Sequence, residues 1–181
     1  MRGNDCIVYR GIVTLRKEGG AMALTFSGPE VIEMAIRTEE NGQKFYLLLA
    51  EKTEKENIKS LFQYLADEEG EHIKDFQKLY DIVKETGESI FGDYEEFKAY
   101  MSSFADSKFL ANFTAEAGKL KDSTDMIEIL DFALGFEKET LLFYYGLLDF
   151  ISEKGKSIVK EIIEQEKKHI MKLGSIKKVV K

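Results

Sequence analysis

The chain contains an internal repeat made of two pairs of segments. Residues 35–46 (AIRTEENGQKFY) and 133–144 (ALGFEKETLLFY) share the pattern Ala-x3-Glu-x5-Phe-Tyr at an offset of 98 residues. Glu-x-x-His occurs at 69–72 and again at 166–169, an offset of 97 residues. Because both pairs recur in the same order, the sequence predicts that one structural unit is present twice.

Each unit has the pattern of two amphipathic helices joined by a short turn. Capping boxes of the form Ser/Thr-x-x-Glu at 27–30 and 53–56 open the first two helices. A single proline and 33% charged residues of both signs are typical of long helices with solvated faces. We therefore predict an all-α four-helix bundle of two helical hairpins joined by a long crossover. The predicted helices run from Gly28 to about Lys52, from Thr53 to Gly87, from Ser123 or Thr124 to about Glu153 (before Gly155) and from Ser157 to about Val179, with a short helix from Tyr94 to about Phe104 inside the 88–122 connection.

The charge and cysteine content exclude several classes of partner. The formal net charge is −7 and the lysines alternate with acids, so the basic surface of a nucleic-acid binder is missing. Cys6 is the only cysteine, which excludes an intrachain disulfide and fits a reducing compartment. No apolar run approaches about 18 residues and no signal sequence is recognisable at the N-terminus. We expect a cytoplasmic protein without a nucleic-acid or membrane partner.

Residues 1–21 differ in sequence pattern from residues 22–181, which contain the helical repeat. Their short apolar stretches are compatible with a strand or hairpin. A second interpretation is that RKEGGAM translates a purine-rich ribosome-binding tract ahead of a start at Met22, because such a tract encodes Lys-Glu-Gly. We treat residues 1–21 as an extension and residues 22–181 as the bundle domain.

Polar residues interrupt the apolar stripe of every predicted helix. Steps of three and four residues trace one inward face along each helix. A glutamate lies near the middle of each stripe, and in the second and fourth helices a histidine follows it by one turn. The residues concerned are Glu39, Glu69, His72, Glu137, Glu166 and His169.

Four buried carboxylates require a compensating positive charge. Burying one unpaired carboxylate costs several kcal/mol, and four together would repel each other. No lysine or arginine falls on the four stripes, so metal ions remain as the compensating charge. Two divalent ions balance four carboxylates when both histidines are neutral. Six to ten donor atoms from these side chains leave coordination positions open on two ions for water, oxygen or peroxide.

This arrangement resembles the ferritin-like di-metal carboxylate bundles, and most closely the rubrerythrin-like group. The resemblance covers residues 27 to about 177 and is carried by EENGQKFY, LADEEGEHIKDF, FEKETLLFY and IIEQEKKHI in the four helices. It implies a ferritin-like fold with two iron ions, although manganese would accept the same donors. Glu69 and Glu166 are implied as bridging carboxylates, Glu39 and Glu137 as terminal ligands, and His72 and His169 as one nitrogen ligand each.

Residues near these positions have predicted roles of their own. Tyr46 and Tyr144 stand two turns after Glu39 and Glu137, where each is either a hydrogen-bond donor to a ligand carboxylate or ordinary core. Gly42 and Thr140 lie one turn after the same glutamates, where they either leave space over the metals or permit close packing of the helices. Five neighbouring acids are predicted to be solvated: Glu40, Glu68, Glu71, Glu139 and Glu164.

Two departures from full-length rubrerythrins bear on function. A chain with one cysteine cannot build their four-cysteine rubredoxin module, so electrons would come from an external donor such as a rubredoxin-like protein. Peroxidase-type rubrerythrins have a further glutamate where this chain has Thr140, which implies a more symmetric site. We expect a di-iron oxidoreductase that reduces peroxide or oxygen in oxidative-stress defence, and the resemblance implies a homodimer. The alternatives are an iron-handling ferroxidase, a dimanganese site and a metal-free structural bundle.

Overall fold

The computed structural model describes most of the chain at the level of side chains. These residues are 28–85 and 123–180, together with the single positions 96, 99, 100, 113, 117, 118 and 120. Residue 86 and the residues of three N-terminal strands are described by their backbone alone.

The N-terminal backbone forms a three-stranded antiparallel sheet. Its strands are β1 (Ile7–Tyr9), β2 (Val13–Glu18) and β3 (Ala21–Thr25), in the order β1-β2-β3. Leu15 pairs with Ile7 on one side and with Leu24 on the other. These strands agree with the strand-or-hairpin interpretation of this stretch. The division at residue 21 stays a prediction, and β3 runs across it.

Four long helices make up most of the remaining described structure and confirm the predicted four-helix bundle. The helices are α1 (Gly28–Lys52), α2 (Glu56–Thr86), α3 (Met126–Leu147) and α4 (Glu153–Val180). α1 packs along α2, α3 packs along α4, and α2 also contacts α4, so the two predicted hairpins are present. The short helix predicted at 94–104 lies largely outside the described residues. Within that range, the described positions are 96, 99 and 100, and all three are helical.

The predicted start of the third helix was wrong by two or three residues. The helix begins at Met126, and its N-cap is Asp125 rather than Ser123 or Thr124. The Asp125 carboxylate accepts the free backbone N–H groups of Ile127 at 2.9 Å and Glu128 at 3.3 Å. A carboxylate satisfies these donors well and also interacts favourably with the helix dipole.

The predicted boundary between the third and fourth helices was also wrong. α3 ends at Leu147 rather than near Glu153, in a tight turn where the Phe150 N–H donates to the Leu147 carbonyl at 3.0 Å. α4 begins earlier than the predicted Ser157, because the Ser152 hydroxyl accepts the Gly155 N–H at 3.3 Å and caps the helix.

Gly155 is therefore a buried residue of the first turn of α4 and not a helix stop. A Cβ at this position would lie 2.9 Å from the Leu79 Cδ1 atom on α2, so glycine permits close approach of the two helices.

Two apolar clusters lie on either side of a polar layer in the bundle. The first cluster contains Ile32, Phe76, Tyr144 and Ile162, one from each helix, and the second contains residues from the opposite half of every helix. α1 and α4 pass from the first cluster to the second, whereas α2 and α3 pass the other way. α1 and α3 are therefore antiparallel. Within the described ranges, no helix is long and apolar enough to cross a membrane.

Candidate metal centre

The polar layer consists of the six residues predicted from the apolar stripes. Each is at most 1% exposed. Their side-chain oxygen and nitrogen atoms form two overlapping groups of four residues, and within each group the atoms lie within 4.8 Å of one another. One group holds Glu39 and His72, the other holds Glu137 and His169, and both contain Glu69 and Glu166. The structure thus brings together all six predicted ligands and places Glu69 and Glu166 between the two groups.

His72 presents its Nδ1 atom to the carboxylates. This atom lies 3.0 Å from Glu166 Oε1, 3.1 Å from Glu69 Oε2 and 3.5 Å from Glu39 Oε2. On the opposite side of the ring, Nε2 lies 2.8 Å from Gln165 Oε1. An amide oxygen can only accept, so the Nε2 proton donates to Gln165 and fixes the orientation of the imidazole ring.

His169 has the same orientation but lacks the outer contact. Its Nδ1 atom is 3.2 Å from Glu166 Oε2 and 3.7 Å from oxygens of Glu69 and Glu137. Its Nε2 atom is buried and has no hydrogen-bond partner among the described residues. The ring lies against that of His72, with centroids 5.5 Å apart. The two halves of the site are therefore alike in their inward donors and unlike in what supports each histidine.

Burial and mutual repulsion shift the pKa values of the carboxyl groups. Burial, followed by repulsion from Glu166, raises the pKa of Glu137 to about 8. Burial and repulsion from Glu39 and Glu166 raise the pKa of Glu69. Burial also opposes ionisation of Glu166, but the hydrogen bond with His169 and the close Nδ1 atom of His72 outweigh it and hold the pKa of Glu166 below its usual range.

The pKa values of the two histidines shift in the opposite direction to those of most buried histidines. Burial disfavours their charged form, but hydrogen bonds to the carboxylates outweigh it. The pKa of His169 is raised to about 9 and that of His72 is raised well above its usual value. Without metal, the layer therefore compensates its negative charge by binding protons on histidine nitrogens and carboxyl oxygens.

Two tyrosines connect α1 and α3 through Glu39 and Glu137. The Tyr46 hydroxyl of α1 donates to Glu137 Oε1, and the Tyr144 hydroxyl of α3 donates to Glu39 Oε1. Burial and the adjacent carboxylates raise the pKa of both phenols, which therefore stay protonated as donors. Of the two interpretations of these tyrosines, the structure favours the hydrogen-bonded one. Each bond is made across the bundle, to the glutamate of the other hairpin.

The carboxylate oxygens of the layer that are left without hydrogen bonds are suited to binding two metal ions. Each of the four glutamates has one buried oxygen that accepts no hydrogen bond of acceptable geometry from the described residues, although one of them, Glu166 Oε1, lies 3.0 Å from His72 Nδ1. These oxygens are Glu39 Oε2, Glu69 Oε1, Glu137 Oε2 and Glu166 Oε1. Buried acceptors in a folded protein are almost always paired, so four together require an explanation. Carboxylate oxygen and imidazole nitrogen are donors that Fe²⁺ and Mn²⁺ accept. Two divalent ions would satisfy these oxygens and neutralise the four carboxylates.

Aromatic residues cover the layer beside Gly42, which permits close packing of Phe136 rather than leaving open space over the metals. A Cβ at Gly42 would lie 2.9 Å from Phe136 Cε1 and 3.5 Å from the carboxyl carbon of Glu69. Phe113, from the connection between the hairpins, packs on Phe136 with ring centroids 4.4 Å apart. The connection thus contributes to the cover over this side of the site.

Sequence reasoning missed Gln165 as a supporting residue. Its position immediately before Glu166 gives no periodic signal, because it lies off the apolar stripe and is only half-buried. Of the five acids predicted to be solvated, Glu71 and Glu164 are exposed. Glu40, Glu68 and Glu139 are half-buried, and Glu68 accepts a hydrogen bond from the Tyr64 hydroxyl at 2.9 Å.

The two helical hairpins and the buried carboxylate–histidine layer define a ferritin-like four-helix bundle of the di-metal carboxylate class. The chain belongs to the rubrerythrin family, whose model matches residues 30–177. It is also similar to a protein of Thermotoga maritima that is provisionally named a ferritin-like diiron-carboxylate protein and whose crystal structure is known. The two are 31% identical, with a TM-score of 0.65, and the match covers 87% of this chain and 98% of that one. A search of curated proteins found no significant match.

Proposed function

We propose that the protein is a di-iron oxidoreductase that reduces hydrogen peroxide or oxygen with electrons from an external donor. The observation that carries this proposal is the pair of overlapping four-residue groups with an unpaired oxygen on every glutamate. Membership of the rubrerythrin family and similarity to a protein named for a diiron-carboxylate site support iron as the metal. When bound, two iron ions would supply a store of two electrons and Lewis acidity next to the substrate.

The side chains of this chain would hold and separate the two ions. Glu39 and His72 belong to one position, Glu137 and His169 to the other, and Glu69 and Glu166 to both. The inferred ligand nitrogen of each histidine is Nδ1, because this atom faces the carboxylates.

Supporting residues fix these donors in place. Gln165 keeps the Nε2 proton of His72 directed away from the centre. The two tyrosine hydroxyls restrain the terminal carboxylates from the opposite hairpin.

Peroxide reduction consumes two electrons and two protons for each pair of water molecules formed. The phenol protons of Tyr46 and Tyr144 are held at Glu137 Oε1 and Glu39 Oε1, within the layer that would bind the metals. Apolar clusters on both sides of the layer exclude bulk water from the reaction.

We propose a rubredoxin-like protein as the electron donor, since one cysteine cannot form a four-cysteine iron site within this chain. We also propose that the protein acts as a homodimer.

Peroxide consumption by the iron-loaded protein tests this function. The protein is loaded with Fe²⁺ under anaerobic conditions, supplied with a chemical reductant and mixed with hydrogen peroxide. We expect repeated turnover that is lost in Glu166→Ala and retained in Glu164→Ala, because Glu164 is exposed and pairs with Lys167. Iron-loaded protein that consumes no peroxide or oxygen over many equivalents would rule out the oxidoreductase. Oxidation of added Fe²⁺ without such turnover would instead support the iron-handling function.

A further inference from the structure

Thr140 has a buried hydroxyl group that none of the described residues binds. The residue is 1% exposed, and its Oγ1 atom has no hydrogen-bond partner among the described residues. The other two buried threonines in the described ranges behave differently. Thr38 donates to the Met34 carbonyl at 2.9 Å and Thr53 donates to the Leu49 carbonyl at 2.6 Å. A helical threonine can form this bond to the preceding turn, so its absence at Thr140 leaves a desolvated donor without compensation.

The arrangement of α1 and α3 places Thr140 at the level of the middle of the polar layer. The two helices are antiparallel, and the tyrosine two turns after each glutamate reaches the glutamate of the other helix. Positions one turn after Glu39 and Glu137 therefore lie at the same level, midway between the two carboxylates. These positions are Gly42 and Thr140. A Cβ at Gly42 would lie 3.5 Å from the carboxyl carbon of Glu69, so this level is that of the shared carboxylates.

We propose that the Thr140 hydroxyl donates a hydrogen bond to the substrate, a peroxide molecule or a similarly small oxygen or nitrogen ligand held between the two ion positions. The inference rests on the proposed function and adds a substrate-binding residue to it. Gly42 on α1 has no side chain and Phe136 packs against it, so Gly42 offers no donor at this level, whereas Thr140 supplies one on the α3 side. A donor that no protein acceptor occupies is free to bind a ligand that carries lone pairs.

Azide binding to the iron-loaded protein tests this role without depending on turnover. Azide is a small anion with lone pairs, and its binding is followed by absorption titration. Thr140→Val keeps the shape and removes the donor, so we expect azide to bind about tenfold more weakly with unchanged iron content. Thr140→Ser keeps the donor and should bind within about twofold of the original protein. Thr38→Val, which removes a hydroxyl that is already bonded to the backbone, should leave azide affinity unchanged.

The thermal stability of the metal-free protein provides a second readout. If the hydroxyl has no partner in the fold, Thr140→Val removes an uncompensated polar group and the metal-free variant should melt at a higher temperature than the original. The inference is overturned if Thr140→Val binds azide as tightly as the original protein, or if the metal-free variant melts lower. If azide binding depends on Thr140 as expected but the original protein consumes neither peroxide nor oxygen, the proposed function is refuted and the role of Thr140 stands.

Discussion

Removal of the metal should destabilise the bundle strongly, and the structure gives the size of the effect. Four carboxylate oxygens, one on each glutamate of the layer, lack hydrogen-bond partners among the described residues. Each buried unpaired acceptor costs about 1–3 kcal/mol, which totals about 4–12 kcal/mol without metal. Protons bound by the metal-free layer recover part of this cost, so we expect the lower half of that range. For a chain of this length the melting temperature should fall by roughly 10–25 °C.

Differential scanning calorimetry measures this difference directly. The iron-loaded protein, the same sample after chelation and dialysis, and a reloaded sample are compared at one pH, and the two loaded samples have the same free metal concentration. Reloading should restore the original melting temperature. Glu164→Ala is the matched control and should show the same difference in melting temperature between loaded and metal-free samples, because the Glu164 side chain lies outside the layer. Loaded and metal-free samples that melt within about 2 °C of each other would refute the reasoning, since the buried oxygens would then cost nothing.

Two further predictions concern protons and the support of the ligands. In the metal-free protein the pKa of Glu137 is raised from 4.5 to about 8 and that of His169 from 6.5 to about 9. The folded state therefore binds these protons more tightly than the unfolded state, and this stability is lost as the pH rises through those values. We expect the metal-free melting temperature to fall between about pH 4.5 and pH 9, and the loaded protein to lack this fall because metal replaces the protons. A flat metal-free profile would contradict this. Replacing Gln165 by leucine removes the acceptor for His72 Nε2 and should weaken metal binding about 10–100-fold in a chelator competition assay, whereas Glu164→Leu should not. Equal affinities for the two variants would show that the ring needs no such support.

Most of the fold could be predicted because the apolar stripes and the repeat are long. The bounds of α1 and α2 agree with the capping boxes and with Gly87 to within a few residues. The boundary between α3 and α4 was misjudged because Gly155 was interpreted as a helix end. Its role depends on Leu79 of another helix, and no local pattern contains that information.

The location of the site could also be predicted, but its outer contacts could not. A charged residue on an apolar stripe is visible in sequence, and all six such residues meet in one layer. The partner of each tyrosine depends on how α1 and α3 align across the bundle. The contact between Gln165 and His72 joins α4 to α2, and the missing partner of Thr140 is evident only after every neighbouring acceptor is placed. Contacts of this kind arise from tertiary packing rather than from periodicity.

Elemental analysis of the purified protein tests the central claim most directly. The account predicts two ions of iron, or of manganese if the site selects that metal, in each chain. Occupancy should fall in Glu166→Ala, which removes a carboxylate shared by both groups, and should be unchanged in Glu164→Ala. A folded protein with no bound metal after exposure to both ions, or equal occupancy in the two variants, would contradict the assignment of the buried layer as a two-metal centre.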